Sequence, residues 1–217
     1  MNRKRITIIT GHYGAGKSEI AIELAISEPP FDMLVDLDVI NPYFRSRSAE
    51  AILKAHGVEL ITSPLGRAAR SDLPYIPARG REPFVNKDVR AVYDLAGDTA
   101  GAKLMMQYGD VLEQEDAMDF LFVVNIYRPD TSSVEKIKHA ITMVEAASQI
   151  KVTGLINNSN LMDQTEEAHL LEGEKLLKEV AKDLNIPIVL TCHDASWTPK
   201  HPYEGELLSL TRYVKSG

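Results

Sequence analysis

The sequence predicts an α/β protein of three layers, with a mostly parallel central sheet and helices on both faces. Three observations predict it. Short β-branched, apolar stretches alternate with helical stretches along the 217 residues. A glycine-rich loop joins the first such strand to the first helix. Aspartates, Asp36 and Asp94, close the second and fourth strands, and the carboxyl edge of a parallel sheet is where α/β proteins place ligand chemistry.

The first strand is Arg5–Thr10, and the helix that follows runs through Glu19–Ile26. Between them lies Gly11-His12-Tyr13-Gly14-Ala15-Gly16-Lys17-Ser18, a complete Gly-x4-Gly-Lys-Ser phosphate loop in its confirming strand–loop–helix context. Glycines let the backbone curl so that its N–H groups point inward, and the helix N-terminus adds partial positive charge. Gly11, Gly14, Ala15, Gly16, Lys17, Ser18 and Glu19 are therefore the expected nucleotide-binding residues. Lys17 is expected to reach the β- and γ-phosphates, and Ser18 to ligate Mg²⁺.

Pro29-Pro30 breaks the first helix, and Met33–Leu37 reads as a buried strand. Asp36 and Asp38 sit two apart at its end and point the same way if strand geometry persists. Asp36 is expected to support the metal's hydration, and Asp38 to orient or deprotonate the attacking water. Asn41, in the stretch that follows, is assigned to a switch. Ser48 is the expected cap of a helix through His56, and Val58–Thr62 the next strand.

Residues 63–87 carry Pro64, Pro74, Pro77 and Pro83 and read as a long excursion. Seven of the eleven arginines, Arg45, Arg47, Arg67, Arg70, Arg79, Arg81 and Arg90, cluster around it. Two readings stand: a solvated loop, or a site for a small anionic substrate near Arg67, Arg70, Arg79 and Arg81. Ala91–Leu95 is the fourth strand. An apolar strand ending on Asp94 has the Walker B pattern, in which the carboxylate holds the magnesium's water shell. Gly97 and Asp98 then mark a second switch, where glycine lets the backbone approach a γ-phosphate.

A helix is expected over Lys103–Glu115, a strand over Phe120–Asn125, a turn and cap at Arg128–Thr131, and a helix from Ser132 to Ser148. Lys151–Ile156 is the next strand and Gln164–Leu184 the next helix, stopped by Asn185-Ile186-Pro187. Ile188–Thr191 is the last strand, with His193-Asp194 beyond it as candidates to line a base pocket, and the tail 202–216 is expected to add a helix. No linker or repeat divides the chain, so a single domain over residues 1–217 is expected.

Composition narrows the class. With 44% hydrophobic and 25% charged residues the chain is an ordinary globular one, and its formal charge of −7 argues against nucleic acid as main partner. Cys192 is the only cysteine, so no intrachain disulfide forms, which fits a cytoplasmic location. The basic start is followed by an apolar run too short for a signal peptide, and no stretch has the length of a membrane span, so no integral membrane segment is expected.

These residues carry a family resemblance. The phosphate loop, Val35-Asp36-Leu37-Asp38 and Tyr93-Asp94-Leu95-Ala96-Gly97 resemble the MinD/ParA/CobQ-type proteins of the SIMIBI class of P-loop NTPases. The resemblance implies Asp38 as the catalytic switch aspartate, Asp94 as the Walker B aspartate and Asn157 as a base-recognising residue. His12 stands where that family has a second lysine, the residue that contacts nucleotide bound by the other subunit; as a partner, an ATP-bridged homodimer therefore stays open beside another protein. GTP-specific relatives read guanine with Asn-Lys-x-Asp, whereas Asn157-Asn158-Ser159-Asn160 lacks both the lysine and the acid, which favours ATP. The expected function is an ATP- and Mg²⁺-dependent ATPase acting as a nucleotide switch read by a protein partner. The alternatives are an ATP-dependent kinase or ligase for a small anionic metabolite, or a non-hydrolysing nucleotide-binding module.

Overall fold

The computed structural model describes residues 3–37, 47–62, 78–109, 118–211 and 213, without the side chains of residues 47, 48 and 100. Eight strands form one sheet: β1 Ile6–Gly11, β2 Met33–Asp36, β3 Glu59–Thr62, β4 Ala91–Asp94, β5 Met118–Val124, β6 Gly154–Asn157, β7 Ile188–Asp194 and β8 Glu206–Leu210. Their order is β3-β2-β4-β1-β5-β6-β7-β8, and each neighbouring pair is parallel. The helices are α1 Lys17–Ile26, α2 Arg47–Ala55, the short α3 Glu82–Val85, α4 Thr99–Leu104, α5 Val134–Ser148 and α6 Glu167–Leu184.

Both faces of the sheet are covered, which is why its strands are apolar at nearly every position rather than alternately. Ile6 and Ile8 of β1, Tyr93 of β4 and Phe120, Phe122 and Val124 of β5 pack with Ala102 and Leu104 of α4, Ile137 and Ile141 of α5 and Leu177 of α6. The intervening residues Ile9, Val92, Leu121 and Val123 turn the other way, onto Ile20 and Leu24 of α1 and Leu53 of α2. The strand period of two sends successive side chains into separate cores. Tyr93, Phe84 and Tyr108 form an aromatic knot with centroids 5.0–6.2 Å apart, and the Tyr93 hydroxyl donates to Gly80 O at 2.9 Å.

Three elements depart from expectation. The tail forms strand β8 rather than a helix. Leu208 and Leu210 lie two apart and share the core beneath α1, while β7 offers an open edge whose backbone groups β8 satisfies. The helix expected from Lys103 starts at Thr99, because Asp98 caps it by accepting from Gly101 N at 2.6 Å, and it tightens into a 3₁₀ turn at Met105–Tyr108. Residues 110–115 of that expected helix lie outside the described residues. Ser48 is the second residue of α2 rather than its cap. Among the described residues no helix is long and apolar enough to cross a membrane.

Candidate functional site

The site forms where β1 ends. Gly11, Gly14 and Gly16 all have positive φ, at 145°, 72° and 87°, so the chain curls through residues 12–16 before α1 begins at Lys17. Gly16 is the tightest point: a Cβ there would run into the Asn158 amide, which donates to Ala15 O at 2.7 Å and pins the loop to the end of β6. Ala15 is buried, so it contributes its backbone to the loop and its methyl group to the core. Lys17 is only 6% exposed, and its ammonium donates to the His12 carbonyl at 3.3 Å, lying back along its own loop.

Below the loop, the Ser18 hydroxyl donates to Asp94 Oδ2 at 2.6 Å. Asp94 is fully buried at the end of β4, and Asp36 is its register partner at the end of β2. The strand ends thus bring together Lys17, Ser18, Asp36 and Asp94, as the sequence predicts. Asp38 and Asn41 lie outside the described residues, as do Arg45, Arg67 and Arg70. Gly97 packs directly on the loop: a Cβ there would strike the Gly11 carbonyl and press on the Lys17 ammonium. Asp98, assigned to the switch, is the cap of α4.

A cleft of about 320 Å³ opens beside the loop, lined by Gly14, Gly16, Lys17, Ser18, Glu19 and Arg128. Asn158, Asn160, Met162, Thr165, His193 and Asp194 line it too. Asn157 is not among the lining residues. It is fully buried behind the cleft, where its amide donates to Leu170 O at 2.9 Å and its Oδ1 accepts from Ser159 N at 3.2 Å, so it joins β6 to α6. His193 and Asp194 do line the cleft. β7 runs on to Asp194 and carries both there; His193 Nδ1 lies 2.9 Å from Asp194 O, and Asp194 Oδ1 accepts from Ser196 N at 2.9 Å. Cys192, just before them, is a free thiol whose pKa burial pushes far up.

Of the four arginines expected to receive an anion, the two among the described residues, Arg79 and Arg81, are engaged with protein groups. Arg79 pairs with Glu59 at 2.8 Å and with Glu82, and the Glu59 hydrogen bond holds its guanidinium above its ordinary pKa. Arg81 donates to Gln107 O at 3.2 Å. Arg128 and Asn158, by contrast, enter the site without having been expected there. The sequence signal for Arg128 was a turn after a strand whose neighbour carries the phosphate loop, but the contact itself spans the chain from residue 14 to residue 128.

The donor set suits magnesium. A serine hydroxyl on a carboxylate, with a second carboxylate on the adjacent strand, supplies hard oxygens only, and such an ion takes its other oxygens from phosphate and water. Among the described residues no group of three or more His, Cys, Asp or Glu could hold a metal.

No protein-family model matches the sequence, and no curated protein is similar to it in sequence. Solved structures are similar to it in fold. Chloroplast FtsY from Physcomitrella patens shares 18% identity over 88% of this chain and 59% of that one, with a TM-score of 0.55. Cell division protein FtsY from Thermotoga maritima shares 18% over 88% and 62%, with a TM-score of 0.54. The signal recognition particle receptor FtsY from Elizabethkingia anophelis, in complex with GDP, shares 17% over 88% and 58%, with a TM-score of 0.51. The chain spans about three fifths of the length of these structures. The likeness shows the fold alone, a three-layer α/β P-loop fold with a parallel central sheet.

Proposed function

We propose that the chain binds a purine nucleoside triphosphate with Mg²⁺ in this cleft and hydrolyses it slowly, as a nucleotide switch. The observation that carries the reading is the Ser18–Asp94 hydrogen bond of 2.6 Å at the foot of the phosphate loop. It joins the hydroxyl proposed to bind the metal to the carboxylate that closes β4 in the Walker B pattern. Bound magnesium supplies neutralisation of phosphate charge there. The chain's own residues do the rest: loop N–H groups and the α1 N-terminus hold the β-phosphate, and the Lys17 ammonium leaves the His12 carbonyl for the β- and γ-phosphates. Asp38, two residues beyond β2, orients the attacking water.

Gly97 is the natural reporter of the γ-phosphate. It lies so close to the loop that a Cβ there would meet the Gly11 carbonyl and the Lys17 ammonium, and the Asp98 next to it caps the first turn of α4. A shift at Gly97 on triphosphate binding therefore moves α4, which a protein partner or a second copy can read. ATP is the nucleotide proposed, because no Asn-Lys-x-Asp follows β6. GTP is the necessary comparison, given the GDP in the Elizabethkingia protein and the Asp194 carboxylate in the cleft. A kinase or ligase acting on a small anion loses support, since Arg79 and Arg81 already bind protein groups.

The test is phosphate release by the purified chain with Mg²⁺ and either ATP or GTP. We expect turnover that prefers ATP, disappears in Lys17→Ala, and is lost in Asp38→Ala while nucleotide binding persists. Equal turnover in wild type and Lys17→Ala would mean contamination and remove the assignment.

A further inference from the structure

The turn after β5 touches the phosphate loop twice. Arg128 Nε donates to the Gly14 carbonyl at 2.9 Å, and its guanidinium lies flat enough against Gly14 that a Cβ there would meet it at 3.4 Å. Two residues on, Asp130 Oδ2 is 2.9 Å from His12 Nε2. The turn itself is rigidly built. Arg128 N bonds Asn125 O at 3.0 Å, Thr131 N bonds Arg128 O at 3.0 Å, and the fully buried Thr131 hydroxyl donates to Asn125 O at 2.7 Å. Asn125, also buried, reaches across to Asn160 O at 3.1 Å.

Arg128 therefore stands on fixed scaffolding at the lip of the cleft, and the Gly14 carbonyl is the partner that its fork holds. Among the described residues no carboxylate neutralises it. Two cations thus rest on carbonyls of one loop: Lys17 on His12 and Arg128 on Gly14. A neutral carbonyl is the weaker partner for either, because charge-assisted hydrogen bonds to phosphate are shorter and stronger.

We propose that Arg128 is a catalytic phosphate ligand supplied in cis, which swings from the Gly14 carbonyl onto the β–γ bridging oxygen and a γ-oxygen of the bound triphosphate. Asp130, through His12, is a positioning residue that keeps the turn against the loop. This rests on the reading of the cleft as a triphosphate site. In the reaction the water oxygen bonds to the γ-phosphorus as the bond from phosphorus to the bridging oxygen breaks. The bridging oxygen keeps the electron pair and leaves with the diphosphate, and the water's proton leaves with inorganic phosphate. Charge grows on the bridging oxygen, where a planar, bidentate donor is worth most.

The experiment compares wild type, Arg128→Ala and Arg128→Lys, with adenine and guanine nucleotides in parallel. Affinity is measured for the diphosphate alone and for the diphosphate with aluminium fluoride, alongside the single-turnover rate. Arg128→Ala is expected to keep diphosphate affinity within about twofold. It should bind the aluminium fluoride complex at least ~100-fold more weakly and turn over on the order of 10³-fold more slowly, the range of an arginine supplied to a phosphoryl transfer. Arg128→Lys should recover little, because an ammonium lacks the fork. Diphosphate affinity and melting temperature that fall in step with turnover would show a structural role and overturn the proposal. So would an Arg128→Ala protein indistinguishable from wild type. Wild type that binds no nucleotide at all overturns the reading of the cleft and Arg128 with it.

Discussion

Asp36 and Asp94 are register partners on adjacent parallel strands, side by side at the sheet's carboxyl edge and both in the interior, 9% and 0% exposed. Two neighbouring carboxylates out of water repel each other, and under the proposed function a divalent cation bound beside them would relieve that repulsion. Ser18, whose hydroxyl donates to Asp94, links this carboxylate pair to the foot of the phosphate loop.

Magnesium dependence should therefore pass through Ser18 and Asp94. Wild type is expected to bind ATP more tightly with Mg²⁺ than with a chelator, and Ser18→Ala or Asp94→Asn to lose most of that difference. The expected size is about 1.5–3 kcal/mol, the range for a hydrogen bond to a charged group. Calorimetric titration with and without the metal reads it directly, and an unchanged difference in either variant would place the ion elsewhere.

Gly97→Ala is expected to damage both stability and binding. The added methyl meets the Gly11 carbonyl and crowds the Lys17 ammonium, so the loop must open to admit it. Overpacking of this kind costs about 1–3 kcal/mol. A lower melting temperature with weakened nucleotide affinity is the expected pair of results. Wild-type affinity in Gly97→Ala would show that the loop tolerates a shifted switch.

The two asparagines at the end of β6 should separate cleanly. Asn158→Ala leaves the Ala15 carbonyl unsatisfied and frees the loop, at ~1–3 kcal/mol, and should weaken binding of ATP and GTP alike. Asn157→Ala breaks the tie from β6 to Leu170 of α6, and should lower the melting temperature without altering the preference between bases. Melting curves and an ATP-to-GTP affinity ratio decide it. A changed ratio in Asn157→Ala would restore that residue to base recognition.

Glu167, the first residue of α6, gathers the stretch leading to β8. Its Oε1 accepts from Lys200 N at 2.6 Å and His201 N at 2.8 Å, and lies 3.1 Å from His201 Nδ1. The His201 amide, with smaller help from the His201 ring and the Lys200 amide, holds its carboxyl below its ordinary value. A lowered folded-state pKa contributes stability that is present above the unfolded value, near about 4.3, and is lost as pH falls through the lowered one. Amide exchange at residues 200 and 201 should thus stay protected at neutral pH and accelerate in acid below that value, and Glu167→Gln should remove the acid step. Protection that does not change with pH in wild type would show that the carboxylate does not hold this stretch.

How much of this was legible follows from how local each signal is. The phosphate loop and Asp94 could be read because Gly-x4-Gly-Lys-Ser and a strand closing on an acid are contiguous patterns with a fixed chemical purpose. Cys192, His193 and Asp194 reach the cleft because β7 continues three residues beyond the end expected for it. What could not be read depends on distant partners. Nothing near Asn158 reveals that its amide meets Ala15, and Arg128 looks like a turn residue until Gly14 is brought beside it. Leu207, Leu208 and Leu210 fit either period in so short a run, and the open edge of β7 decided for the strand. The arginine cluster left two readings open for a related reason, since the acids that Arg79 finds, on β3 and in the neighbouring turn of α3, are set by the fold.

Helix α1 is anchored beyond its first turn. From Leu24 its carbonyl receives Arg3 Nη1 at 2.9 Å, and from Glu23 its carboxylate receives Thr211 N at 2.6 Å. The helix whose first turn faces the cleft is thus moored, one turn further on, to Arg3, just before β1, and to Thr211, just after β8. Strain applied at either residue is expected to reach the loop, and fluorophores or tethers placed there are expected to report occupancy of the cleft.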